Sequence, residues 1–265
     1  IDNPELYFQV KTYTGNGSTQ SITFDGDTDM QPDFLWVKGR SVGESHYLQD
    51  SVRGVTKHLH TTNTDAEVTD TGVVTALNSD GFSLGDEGDI NSDSGTFVAW
   101  GWKESATSGF DIVAYTGDGN AGNTEAHSLS AVPHLMIIKQ RNGTGDWIVY
   151  HHKNTSAPET DHLTFKEAAT SDALNKLNDV APTSSIFTLG DGGDTNGSSD
   201  TYVNYLFSEK QGFSKFGEYP GNGSANGDFV FLGFRPAMVI VKGNNTENWS
   251  MYDDQREGYN VDNDV

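Results

Sequence analysis

One short pattern occurs three times in this chain and constrains its fold more than any other feature. Pro32 to Arg40 reads PDFLWVKGR, Pro133 to Arg141 reads PHLMIIKQR, and Pro236 to Asn244 reads PAMVIVKGN, at intervals of 101 and 103 residues. Ahead of each lies a tyrosine and a glycine turn: Tyr13-Thr14-Gly15-Asn16-Gly17, Tyr115-Thr116-Gly117-Asp118-Gly119 and Tyr219-Pro220-Gly221-Asn222-Gly223. Behind it, FSLGDEGDINSDSGTFVAW from Phe82 matches FTLGDGGDTNGSSDTYVNY from Phe187 at a constant offset of 105. Self-similarity at a fixed period marks one structural unit copied along a chain. The expected units are 1–107, 108–211 and 212–265, the last holding only the first half of the pattern. Half a sandwich has unpaired strand edges and a bare apolar face, which natural proteins cover. The expectation is that the natural polypeptide extends beyond Val265.

The apolar runs in each unit are short and rich in β-branched and aromatic residues, as in DFLWVK, LMIIK and MVIVK. Proline suits the start of such a strand, where the first residue need not donate to the ladder. Asn16-Gly17, Asp118-Gly119 and Asn222-Gly223 are turn dipeptides, because Asn, Asp and Gly accept positive φ. Strands at roughly 8–12-residue spacing in units of about 100 predict an all-β chain of tandem antiparallel β-sandwich or jelly-roll repeats. Only Asp161 to Asp179 has a helical pattern, so at most one short helix is expected. The stretches KESATSGF and SEKQGF read as short linkers, which predicts units strung as separate beads.

The 265 residues carry a net charge of −22 and no cysteine. The charge argues against nucleic-acid partners, which need clustered Lys and Arg, and against anionic membranes. No run reaches the roughly 18 apolar residues of a membrane helix, so no membrane insertion is expected. Without cysteine there are no disulfide staples and no thiolate metal sites.

The segments YTGNGSTQSI, QPDFLWVKGRS, SVRG, NSDGFSLG and TFVAWGWK resemble a repeated domain of unknown function. That domain occurs in tail-fibre-like and other structural proteins of tailed phages, especially marine and cyanobacterial ones. The first unit matches almost throughout. The second matches at both ends, with Asp50 to Gly54 replaced by HHKNT, and the third matches the first half. The resemblance implies an extracellular place on the virion, at the tail or particle surface. It also implies other virion proteins as partners, homo-oligomerisation such as a trimer, and host-surface glycan contact. It brings no catalytic residues. The expected role is therefore a structural component of a phage virion, a tail-fibre or surface-fibre protein for assembly and host attachment, and not an enzyme. The alternatives are a carbohydrate-binding adhesin module and a polysaccharide-degrading tailspike.

Few residues carry chemistry. Asp86, Asp89 and Asn91 recur as Asp191, Asp194 and Asn196 in glycine-rich loops, where oxygen ligands could hold calcium. The competing reading is that they cap the turn through their own hydrogen bonds. Asp25, Asp27 and Asp29 alternate as in an EF-hand, but Met30 and Trp36 occupy the positions that need Gly and Glu. His58 and His60 flank Leu59 and would share a strand face, without a counterpart in the second unit. Lys38, Lys139 and Lys242 end the repeated strand and are expected to turn into solvent. Trp147 and Trp249 lie at matching distances beyond it and read as core residues, the alternative being a platform for a sugar ring.

Overall fold

The computed structural model describes residues 1–166 and 169–256. The first unit runs through β1 (Phe8–Thr14), β2 (Gln20–Ile22), β3 (Phe34–Gly39), β4 (Tyr47–Asp50), β5 (Lys57–His60), β6 (Val68–Thr69), β7 (Val74–Leu77), β8 (Phe82–Leu84), one helical turn α1 (Gly88–Asn91) and β9 (Thr96–Trp102). The second holds β10 (Phe110–Thr116), β11 (Asn123–Ala126), β12 (Leu135–Gln140), β13 (Ile148–His151), β14 (Asp161–Thr164), β15 (Ser171–Asp172), α2 (Leu174–Leu177), β16 (Ile186–Leu189), α3 (Gly193–Asn196) and β17 (Thr201–Phe207). The hairpin β18 (Met238–Val241) and β19 (Ser250–Asp253) follows.

Every strand pair among the described residues is antiparallel. One six-stranded sheet has the order β1-β9-β3-β4-β5-β6 and the other β10-β17-β12-β13-β14-β15. The repeated proline segment supplies β3, β12 and β18. In both large sheets the strand from the end of the unit inserts between its first strand and the proline strand. Trp36 thus faces Trp100 on β9, and Ile137 faces Tyr205 on β17. A small sheet covers one face of each: β2-β8-β7 on the first and β11-β16 on the second. The architecture is all-β and consistent with β-sandwiches.

The other faces of the two large sheets meet. Successive side chains on a strand point to opposite faces. On β9, Phe97 and Ala99 join the outer core with Tyr13, Leu35, Phe82 and Leu84. Val98 and Trp100 join a central core with Phe34, Leu48, Ile137, Val149, Val203 and Tyr205. Phe34 sits 4.6 Å from the Tyr205 ring and 5.9 Å from that of Phe110. Two-sided burial explains why TFVAWGW is nearly continuous in apolar residues rather than alternating.

This arrangement corrects the picture of separate beads. The stretches expected to be linkers are tight turns closed by backbone bonds, Ser105 N to Phe110 O at 3.0 Å and Ser214 N to Lys210 O at 2.9 Å. The helix content is also corrected. Three one-turn helices are present among the described residues, two of them in the Gly-Asp loops, together with 3-10 turns at Pro4–Leu6 and Pro158–Thr160. Among the described residues of 161–179, only Leu174–Leu177 is helical. Asp161–Thr164 is a strand because it pairs with β13, with Ile148 opposite Thr164.

Candidate functional site

The six candidate calcium ligands sit on the helical turns α1 and α3 and the residues just before them. Asn91 is fully buried. Its Oδ1 accepts from Asn16 N at 3.2 Å and Gln20 Nε2 at 2.6 Å, and its Nδ2 donates to Ser18 O and Gly85 O, both at 2.6 Å. Asn196 does the same in the second unit, accepting from Asp118 N and Asn123 Nδ2 and donating to Asn120 O and Gly190 O. Each asparagine therefore clasps the Tyr-Gly turn of its own unit. Tyr13 Oη and Tyr115 Oη add bonds to Ile90 O and Thr195 O, each at 2.7 Å. The turns need glycine where φ is +66° at Gly17 and +74° at Gly119.

The aspartates do not converge with these asparagines. Asp86 and Asp191 are exposed. Asp89 accepts from Tyr47 Oη at 2.6 Å, while Asp194 pairs with Lys176 and accepts from Asp146 N at 3.2 Å. Among the described residues no group of three His, Asp or Glu side chains is placed to hold a metal ion. His58 and His60 do share a face, with ring centres 4.9 Å apart beside Tyr47. Burial lowers both imidazoles, His58 to about 4.

The repeated lysines do not all turn into solvent. Lys139 is fully buried, and burial lowers its ammonium to about 8. Lys38, Lys139 and Lys242 each donate through Nζ to the carbonyl of the next residue, at 2.8, 2.7 and 2.7 Å. Their shared role is to cap a carbonyl where the proline strand ends. The tryptophans belong to the central packing. Trp147 is 2% exposed, and its indole donates to His60 O at 2.9 Å. Trp249 donates to Thr164 O, also at 2.9 Å. His60 and Thr164 hold corresponding register positions, opposite Tyr47 on β4 and Ile148 on β13.

A second set of contacts runs around the same core. Tyr205 on β17 donates to Asp50 Oδ2 at 2.8 Å, and Arg53 binds that carboxylate and Leu48 O. Trp100, at the corresponding position on β9, donates to Asp253 Oδ2 at 3.1 Å. Arg256 binds Asp253 and Met251 O, and its guanidinium lies 5.3 Å over the Trp100 ring. The Asp-x-x-Arg spacing of 50/53 and 253/256 was available in the sequence as the signal for this pair, and sequence reasoning missed it. At the third corresponding position, opposite Leu135, stands His151. Burial, then the neighbouring His152, lowers its imidazole to about 4. Glu67 bridges the units as well, pairing with Arg53, Lys57 and Arg141. Burial raises its carboxyl, but Arg141 and Arg53 outweigh that and hold it below the usual range.

Beside the β18–β19 hairpin the central core is incompletely covered among the described residues. A cavity of about 1040 Å³ lies there, lined by Phe34, Trp36, Leu135, His151, Met238 and Trp249 among others. β18 pairs with β19 in the same register as β3 with β4: Ile240 faces Met251 as Trp36 faces Leu48. Among the described residues no strand lies along its other edge. Val239 and Ile240 are 37% and 38% exposed, whereas Leu35 and Trp36 are 0% and 7% exposed. Phe229 and Phe231, just ahead of the hairpin, are 89% and 77% exposed.

A family model described as a domain of unknown function (DUF7483) matches residues 3–265. The chain belongs to that family. No curated protein and no solved structure matches this DUF7483 chain.

Proposed function

We propose that this chain is a structural building block of a virion, a tail-fibre or surface-fibre component. We read it as two full copies and one half copy of a single sandwich unit set around a pseudo-threefold axis. The observation that carries the reading is the cyclic order of contacts at corresponding positions. Trp147 of the second unit reaches the first, and Trp249 of the third reaches the second. Tyr205 of the second unit reaches the first, and Trp100 of the first reaches the third. A structure whose largest apolar faces hold neighbouring units together suits load-bearing and assembly. The acidic surface suits many copies side by side, since like charge keeps them from aggregating. The segments quoted for the phage structural proteins are those that build this core, TFVAWGWK and QPDFLWVKGRS among them.

The test is labelling of intact particles. Antibody raised against this chain should decorate the tail or surface of purified virions in electron micrographs. Unlabelled particles, with the protein recovered only free in the lysate, would overturn the proposal.

A further inference from the structure

Among the described residues β18 has one unpaired edge, and that edge is specific in what it can accept. In the first two units the equivalent edge is filled by the strand that follows the Gly-Asp loop: six residues of β9 or β17 pair along it, and seven pair along β1 or β10. The third unit keeps every part that receives such a strand. Its hairpin has the shared register, and it is closed by Asp254 N to Ala237 O at 3.1 Å, as Ser51 N to Asp33 O closes the first. Its glycine turn is already formed: Gly223 has φ +66°, and Ser224 N donates to Asn222 Oδ1 at 2.9 Å. The first turn has the same bond, Ser18 N to Asn16 Oδ1 at 2.8 Å. Tyr219, which corresponds to the buried Tyr13 and Tyr115, is 51% exposed, and the stretch 214–220, aligned with β1, forms no strand.

The geometry points to this half unit as an acceptor for one further segment of the type found at Phe82–Trp102 and Phe187–Phe207. That segment is an apolar strand, a Gly-Asp loop with its clasping asparagine, and a seven-residue strand with aromatics at its fifth and seventh positions. The second strand enters between residues 214–220 and β18, antiparallel to both, which is the main-chain logic of strand addition at a sheet edge. Its position equivalent to Ala99 lies opposite Val241, and that equivalent to Gly101 opposite Val239. The aromatic equivalent to Trp100 and Tyr205 enters the cavity and faces His151, completing the cycle of contacts. The asparagine closes the turn at Tyr219 to Gly223. The loop and strand shield Phe229 and Phe231. This inference rests on the reading of the hairpin as a third copy.

The chain has no cysteine, so introduced thiols report without background. The probe is a synthetic peptide of residues 81–104 added to the full 265-residue chain. The melting temperature should rise with peptide concentration and saturate. Under oxidising conditions, Val241→Cys protein should trap peptide carrying Ala99→Cys, and Val239→Cys should trap Gly101→Cys. The swapped pairs should react at least about tenfold more slowly, because their Cα atoms are too far apart for a disulfide. A Trp100→Asp peptide should bind about tenfold more weakly or worse, since it places a charge in an apolar cavity. No peptide binding, or dimerisation of the chain through Met238–Val241 regardless of peptide, would overturn the proposal while leaving the virion reading standing. Trapping with equal rates in all pairings would overturn both the acceptor and the copy reading. In-register trapping with unlabelled particles would keep the acceptor and remove the virion role.

Discussion

The hairpins β3–β4 and β18–β19 have the same register and the same closing bond, yet one is buried and the other half bare. The difference lies in the strand beside them. β9 pairs with β3 over six residues, and it brings Phe97 and Ala99 to one core and Val98 and Trp100 to the other. Among the described residues β18 has no such neighbour, and Val239 and Ile240 are left exposed, while Met238 keeps its packing against the central core. A strand in the middle of a sheet therefore contributes through the ladder and again through each of the two layers it covers.

Substitutions at matching positions sharpen this comparison. Asp50 and Arg53 have no side-chain exposure. Arg53→Ala leaves Asp50 charged and unpaired, and should cost about 3–5 kcal/mol of global stability in chemical denaturation. Arg256→Ala removes the corresponding partner of Asp253, but should release only the β18–β19 hairpin. Limited proteolysis should then cut after residue 212 while the main unfolding transition stays in place. An equal loss of global stability in both variants would break the comparison.

Leu35→Ala should cost about 2–5 kcal/mol, the usual range for a buried leucine. Val239→Ala, at the matching place on the bare strand, should stay within about 0.5 kcal/mol. Asn91→Ala and Asn196→Ala each leave buried amides and carbonyls of a turn without partners, and should cost about 1–3 kcal/mol. Asn222→Ala, in the open turn, should change little. If these asparagines act only as clasps, a calcium chelator should leave the melting temperature of the wild-type chain unchanged. A clear fall would restore the cation reading of Asp86, Asp89, Asp191 and Asp194.

The smallest expected effect concerns pH. His46 stands where Trp147 and Trp249 stand in the other units, and its Nδ1 accepts from Trp36 Nε1 at 2.7 Å. Burial, then Lys38 and Arg256, lowers it to about 3. An imidazole neutral in the fold but titrating near 6.5 when unfolded binds its proton preferentially in the unfolded chain. Its contribution is therefore complete above about pH 6.5 and declines as pH falls toward the folded value. His151, lowered to about 4, acts in the same direction. Melting temperature should fall from pH 6.5 to 4, and His46→Gln, which keeps an acceptor without a titration, should flatten the slope. A slope unchanged in that variant would exclude His46 as a contributor.

Much of the local structure was legible because its causes are local. Proline, an apolar run and lysine give β3, β12 and β18, and Asn-Gly or Asp-Gly gives the turns between strands. The misreadings all depend on long-range contacts. Lys139 looks like a surface residue until the loop at Thr64 of the first unit closes over it, where Nζ lies 3.2 Å from Thr64 O. Asp161 to Thr164 resembles helix until β13 pairs with it. A different case is Asp86 to Asn91, whose spacing left open both calcium and turn capping; Asn91 turns inward to the Tyr13 turn while Asp86 is exposed, and the chelator experiment decides the cation reading. The packing of the two large sheets had a visible sign: TFVAWGW and TYVNYLF are too continuously apolar for a sheet with one wet face.

Hydrogen exchange of the three corresponding strands tests the central claim most directly. The account predicts that amides of Phe34–Gly39 and Leu135–Gln140 exchange only with global unfolding, at a common free energy, because one core joins their sheets. Amides of Met238–Val241 should exchange orders of magnitude faster, through local opening. Different opening free energies for the first two strands would return the chain to separate beads. Protection of the third equal to theirs would mean that its edge is not open.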